Sequence, residues 1–113
     1  MVGNIQFNSK AKKISPLIIE RLETIIDPEI ELDIYNLGLI YHIDLSEEGL
    51  CQIVMTFTSA GCGCIGTVPQ EMKEQLVTIP EIEEVAVEVV WQPSWNLTRI
   101  SRVGRVSLGV NPN

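Results

Sequence analysis

Two segments of the chain repeat apolar residues at the three-to-four-residue spacing of an amphipathic helix. The first starts at Ser15-Pro16, a capping residue followed by a first-turn proline, and it ends at Asp27-Pro28. The second starts at Thr67, which forms a capping-box pattern with Gln70, and it ends before Pro80. The buried stripe predicted for this second helix is Val68, Met72, Gln75 or Leu76, and Ile79.

Three other segments alternate apolar and polar residues, which is the pattern of half-buried strands. They are residues 39–45, 51–57 and 85–91. A Ser-Glu-Glu-Gly turn at 46–49 joins the first two into an antiparallel hairpin. The resulting order is α-β-β-α-β. We therefore predict a single small α+β domain in which two helices cover one face of a three-stranded mixed sheet.

The length of 113 residues fits one domain with its own core. We expect residues 1–14 to form a flexible lead-in, residues 15–95 the domain and residues 96–113 a C-terminal extension. All fifteen acidic residues lie between Glu20 and Glu88, and the net charge is −7. Phosphate contacts need a continuous basic surface, so this distribution argues against a nucleic acid partner.

The hydrophobic segments also bear on where the protein works. No apolar run approaches the roughly 20 residues that a membrane-spanning helix needs. The first residues are polar and lysine-bearing, without the apolar core of a secretory signal. We therefore expect a cytoplasmic protein that does not bind a membrane.

The cysteines supply the candidate chemistry. Cys62 and Cys64 lie in a glycine-rich stretch at 59–66, just before the predicted second helix. A helix N-terminus favours the thiolate, and thiolates bind zinc, copper(I) or iron–sulfur clusters. Two thiolates are fewer than the four ligands of a closed site, which fits a transfer protein, a dimer that pools four thiolates, or a partner that completes the site.

The cysteine stretch also has a plain structural alternative, a glycine-rich turn whose thiols only pack. The pattern favours a functional role for Cys62 and leaves Cys64 undecided. Cys51 lies on the apolar side of its predicted strand, and we expect it to be buried as a small hydrophobic residue.

Two further motifs are ambiguous by themselves. Asp27-Pro28-Glu29 could supply acid–base groups or hard metal ligands, although composition alone favours a helix end with solvated charges. Trp91 and Trp95 flank a proline, and both a core anchor and an interaction hot spot are reasonable roles for them.

The order of the motifs is more specific than any of them alone. The chain resembles the domain shared by SufT, PaaD and the small subunit of the eukaryotic cytosolic iron–sulfur targeting complex. The resemblance extends from about residue 18 to residue 95. It rests on Asp27-Pro28-Glu29, then Asn36-Leu37-Gly38-Leu39-Ile40-Tyr41, then Met55-Thr56-Phe57-Thr58 with Gly61-Cys62, then Val90-Trp91, Pro93 and Trp95.

This resemblance implies a non-catalytic domain that delivers iron–sulfur clusters to apo-proteins through one reactive cysteine, Cys62. It also implies that the cysteine is surrounded by Asp27, Glu29, Asn36, Thr56 and Thr58. Three positions depart from the family pattern. Gly63 replaces a proline, Gln92 replaces an aspartate, and the arginine-bearing stretch 100–106 replaces an acidic helix.

We therefore expect an iron–sulfur cluster assembly or delivery factor that is not an enzyme and that holds its cluster only transiently. The expected metal ligands are Cys62 and Cys64, and the functional motif adds Trp91 and Trp95 to the residues above. The expected partners are apo iron–sulfur client proteins, other cluster assembly proteins and a second copy of the chain. A zinc or copper thiolate module and an accessory subunit of an oxygenase-type complex are the alternatives.

Overall fold

The computed structural model describes residues 5–27, 31–57, 64–92, 95 and 100, with the backbone alone for residues 64 and 65. Ten short elements follow one another in this part of the chain. They are β1 (Gln6–Phe7), α1 (Ser9–Lys13), α2 (Ser15–Leu22), β2 (Ile26–Asp27), β3 (Leu32–Asp33), α3 (Ile34–Leu37), β4 (Ile40–Leu45), β5 (Leu50–Met55), α4 (Cys64–Leu76) and β6 (Glu84–Val89).

The central sheet has the strand order β1-β4-β5-β6. The β4–β5 hairpin is antiparallel, whereas β1 runs parallel to β4 and β6 runs parallel to β5. The α4 helix connects the parallel pair β5 and β6, as a crossover between parallel strands requires. The expected α+β domain with a mixed sheet is confirmed, and its sheet has one strand more than predicted.

The core forms where one face of this sheet meets the helices. Successive strand residues point to opposite faces, and the side chains of β5 at Cys51, Ile53 and Met55 are fully buried. Helices α2 and α4 contact each other and supply further core residues. Of the predicted stripe, Val68, Met72 and Leu76 are buried in α4, and Gln75 is exposed. Ile79 is also buried, but it lies three residues after α4 ends at Leu76, so the helix is shorter than predicted. The opposite face of the sheet is exposed, for example at His42 and Glu88.

The fourth strand comes from the segment expected to be a flexible lead-in. Gln6 and Phe7 pair with β4, and Asn8 then caps α1 by accepting a hydrogen bond of 2.9 Å from the Ala11 amide. The Asn8 side chain also donates to the Leu45 carbonyl (3.0 Å) and accepts from the Leu45 amide (3.1 Å). A strand and a short helix therefore form within residues 6–13 of the segment that we expected to be a flexible lead-in.

The boundaries of α2 and α4 differ from the predicted boundaries. Ser15 is the first residue of α2 rather than its cap, and the helix ends at Leu22 because residues 26 and 27 pair with β3. Thr67 does not start α4 but lies inside it, three residues after the helix begins at Cys64. In the part of the chain that the structure describes, no helix is long and apolar enough to cross a membrane.

Candidate functional site

The segment between β3 and β4 contains the one-turn helix α3. Asp33 caps this helix, because its carboxylate accepts 2.8 Å hydrogen bonds from both the backbone amide and the side-chain amide of Asn36. Asp33 is 8% exposed, so both oxygens are largely withdrawn from water. The Asn36 side chain is thus held by a buried carboxylate, and its position is fixed relative to the helix.

The end of α3 connects this helix to the strand that precedes the cysteine segment. Gly38 has a φ of 73°, a left-handed conformation that glycine adopts without strain, and its amide bonds to the Tyr35 carbonyl. The Leu39 carbonyl then accepts a 2.9 Å hydrogen bond from the Thr56 amide. Two separate motifs of the sequence are therefore joined by the backbone at this edge of the sheet.

A third motif reaches the same edge from the end of β6. Strands β5 and β6 are parallel, so both end here, and the Val90 amide bonds to the Met55 carbonyl (2.8 Å). After β6, the Trp95 indole donates a 2.7 Å hydrogen bond to the Leu37 carbonyl at the end of α3. We call this side of the sheet the motif end. It comprises α3, Thr56 and Trp95.

Two of the buried polar side chains lie at the motif end. Among the described residues, the buried polar or charged side chains are Asp27 (0% exposed), Asp33 (8%) and Thr56 (1%). Asp27 lies in β2, whose partner strand β3 leads directly into α3. Withdrawing such groups from water costs free energy unless they are hydrogen-bonded. Asp33 meets this requirement through Asn36, and the Thr56 hydroxyl meets it through the Phe57 carbonyl.

The predicted site residues divide into those that the structure describes and those that lie outside the described residues. Asn36, Thr56 and Trp95 belong to the motif end, and Asp27 lies in β2, paired with Leu32 of β3. Trp91 follows β6, with 43% of its surface exposed. Cys62, Glu29, Thr58 and the side chain of Cys64 are not among the described parts.

Cys51 lies at the other end of the sheet, next to the β4–β5 turn. Its side chain is fully buried, as expected. Burial, and to a smaller extent the negative charge of Asp44, raises the pKa of the Cys51 thiol from 9.0 to about 11. A thiol that stays protonated at neutral pH is a poor metal ligand. In the described ranges, no three histidine, cysteine or acidic side chains come together as a metal site.

Asp33 is a site residue that the sequence interpretation missed. Its signal was present in Asp33-Ile34-Tyr35-Asn36, an aspartate placed to cap a helix and to bond the residue three positions later. The four residues of α3 are too few to show a helical period, so the cap pattern alone did not predict a helix.

Comparison with known proteins gives a consistent set of relatives. A family model described as "iron-sulfur cluster assembly protein" matches residues 17–89. The Fe-S protein maturation auxiliary factor YitW of Bacillus subtilis is 41% identical over 93 residues, which cover 82% of this chain and 91% of that protein. The Fe-S protein maturation auxiliary factor SufT of Staphylococcus aureus is 41% identical over 87 residues, covering 77% of this chain and 99% of that protein.

The fold also has a solved counterpart. The crystal structure of a domain of unknown function, DUF59, from Bacillus anthracis superimposes with a TM-score of 0.82 at 38% identity. The superposition covers 92% of this chain and all of that chain.

Proposed function

This chain belongs to the iron–sulfur cluster assembly protein family, and from that premise we propose that it hands iron–sulfur clusters to apo-proteins through the loop that carries Cys62. Its relatives are named as maturation auxiliary factors rather than as enzymes. On this proposal the cluster is a transient cargo, the partners are cluster assembly proteins and apo client proteins, and the chain catalyses no reaction of its own. The cytoplasmic location stays a prediction.

The observation that carries the proposal is the meeting of the motifs at one end of the sheet. Residues 58–63 connect the end of β5 with the start of α4. A loop after a parallel strand and before a helix occupies the edge at which α/β sheets bind their ligands. Along the chain, residue 58 follows Thr56 by two positions, and the Thr56 amide bonds to the carbonyl of Leu39, two residues after α3.

The start of α4 supports a reactive thiolate in this loop. The helix begins at Cys64, so Cys62 precedes it by two residues and Cys64 belongs to its first turn. The first backbone amides of a helix are free of intrahelical partners and carry partial positive charge. Such an environment lowers the pKa of a cysteine, and the thiolate is the form that binds iron.

The small number of soft ligands favours transfer over storage. A closed iron–sulfur site commonly uses four cysteines, whereas this loop supplies Cys62 and Cys64. The third cysteine, Cys51, is buried at the far end of the sheet with a raised pKa. A cluster held by two thiolates keeps positions open to ligands of a receiving protein, which is the requirement for handing it over.

The experiment compares Cys62→Ser with Cys51→Ser after anaerobic reconstitution with iron and sulfide. We expect Cys62→Ser to lose the visible absorbance of the cluster and the activation of an apo client such as apo-aconitase. Cys51→Ser should keep both activities and lose only stability, about 1–3 kcal/mol for a buried hydroxyl without a partner. Equal loss of iron in the two variants would contradict the assignment, as would a colourless protein that holds zinc instead.

The number of chains per cluster, measured on the same samples, tests which molecule supplies the other two cluster ligands. Two loops that meet at a twofold axis would pool four thiolates, so we propose one cluster per two chains when no client is present. In that case Cys64→Ser weakens both cluster retention and the dimer. A monomer that carries a complete cluster, seen by size-exclusion chromatography with light scattering and iron analysis, would exclude the shared site.

A further inference from the structure

A cavity lies between β1, α1, α2 and α3, and it shares Tyr35 of α3 with the motif end. Its volume is about 490 Å³, within the range of pockets that hold small organic molecules. The apolar part of its wall consists of Ile5, Phe7 and Ile19. The wall contains none of the described residues of the predicted functional motif, which are Asp27, Asn36, Thr56, Trp91 and Trp95. The cavity is thus a second place at which this fold can take up a ligand.

Four polar residues complete the wall: Gln6, Lys12, Ser15 and Tyr35. Within the described part of the chain, the side chains of Lys12, Ser15 and Tyr35 make no hydrogen bond or ion pair, although Lys10 on the same helix as Lys12 bonds to Glu47. Desolvation, followed by the negative charges of Glu23 and Asp33, raises the pKa of Tyr35. At neutral pH the cavity therefore offers one ammonium group and two hydroxyl donors.

We propose that this cavity binds a small organic monoanion with an apolar body, such as a medium-chain carboxylate. The ammonium group of Lys12 matches a single negative charge, and the hydroxyl groups can donate to its oxygens. The apolar wall matches a hydrocarbon body, whose burial supplies the remaining affinity. The net charge of −7 and the two carboxylates near Tyr35 oppose a ligand with more than one negative charge.

The test uses octanoate as the probe and 1-octanol as the uncharged comparison, each titrated into the isotope-labelled full chain and followed by amide chemical shifts. We expect octanoate to produce saturable shifts at Phe7, Lys12, Ser15 and Tyr35. Octanol, which fills the same apolar wall without the charge, should bind about tenfold more weakly.

The variant Lys12→Met should weaken octanoate binding about tenfold, because it removes the charge and keeps the length of the side chain. Its matched control is Lys13→Met, an exposed neighbour on the same helix that does not line the cavity. Tyr35→Phe should weaken binding about threefold, through the loss of one donor. Thermal unfolding of each variant verifies that it is folded.

Three results would overturn the proposal: no saturable shift, equal binding of octanol and octanoate, or equal effects of the two lysine variants. The inference does not depend on the cysteine loop. Octanoate binding should therefore be unchanged in Cys62→Ser, so that a failure of the cavity and a failure of the cluster proposal are read separately.

Discussion

One end of the sheet contains the β4–β5 turn. There, polar side chains form hydrogen bonds with backbone groups of the hairpin strands. Asn8 bonds to both backbone groups of Leu45, and the Ser46 hydroxyl accepts from the Leu50 amide (3.0 Å). At the motif end, Asp33 and Thr56 are buried, and Asp33 caps α3 through the Asn36 amide. The first arrangement completes the sheet, whereas the second withdraws polar groups from water, which is tolerated only while they stay hydrogen-bonded.

The hairpin end also depends on one close backbone approach. Gly49 has a φ of 89°, and its carbonyl accepts from the amides of Glu83 (2.8 Å) and Glu84 (3.2 Å). A Cβ added at Gly49 would lie 3.0 Å from the Glu83 side chain. Glycine at this turn therefore lets the hairpin contact the start of β6. The comparison indicates that the hairpin end mainly stabilises the fold. The motif end carries the buried polar side chains of Asp33 and Thr56.

The largest expected effect tests the hairpin end. Asn8→Ala removes three hydrogen bonds, two with Leu45 and one with Ala11, and should lower the free energy of unfolding by about 3 kcal/mol. Asn8→Asp keeps the acceptor for two of these bonds and should lose about 1 kcal/mol. Urea unfolding measures both changes. Cluster retention per folded molecule should equal that of the wild type, and a selective loss of the cluster would break the division between the two ends.

A smaller effect on stability and a larger one on function are expected at Asp33. Asp33→Ala removes the cap of α3 and the bond that holds the Asn36 side chain, at a cost of about 2 kcal/mol. Cluster transfer to an apo client should fall by more than the folded fraction does. Asp33→Asn retains one acceptor oxygen and serves as the matched control. Transfer that simply follows the folded fraction in both variants would make Asp33 a stability residue like Asn8.

The smallest effect on stability is expected at Trp95, whose indole bonds to the end of α3. Trp95→Phe keeps an aromatic ring and removes the donor to the Leu37 carbonyl, so the expected loss is about 1 kcal/mol. Urea unfolding measures the loss, and an unchanged free energy of unfolding would show that the Trp95 hydrogen bond does not contribute.

Much of the fold could be predicted because its signals are local. The β4–β5 hairpin follows from period-two alternation around a Gly-containing turn, and the stripe of α4 follows from the helical period. The β1 strand was missed because two residues, Gln6 and Phe7, show no period. Their pairing with β4 is a contact between segments far apart in sequence. Long-range pairing leaves no pattern that a single short segment can display.

The start of α4 shows how a local signal can be overridden. Thr67 and Gln70 match a capping box, and Pro69 fits a first turn, yet the helix begins at Cys64 and contains all three residues. At the site, Asn36 and Thr56 were identified by resemblance, and their functional role stays a prediction. Asp33 was missed because it belongs to none of the family motifs. Its role is to accept hydrogen bonds from the backbone and the side chain of Asn36.

The sequence separation of the contacts sets an order of completion during synthesis. The side chain of Asn8 reaches partners no further along the chain than Leu45, and the β4–β5 ladder is complete at Met55. The Trp95–Leu37 hydrogen bond spans 58 residues and closes only after β6 has been made. Chains leave the ribosome N-terminus first, and long-range pairing forms late. A nascent chain that has emerged past Met55 but not yet to Trp95 can therefore pair its hairpin, whereas the Leu37 carbonyl at the end of α3 still lacks its indole donor.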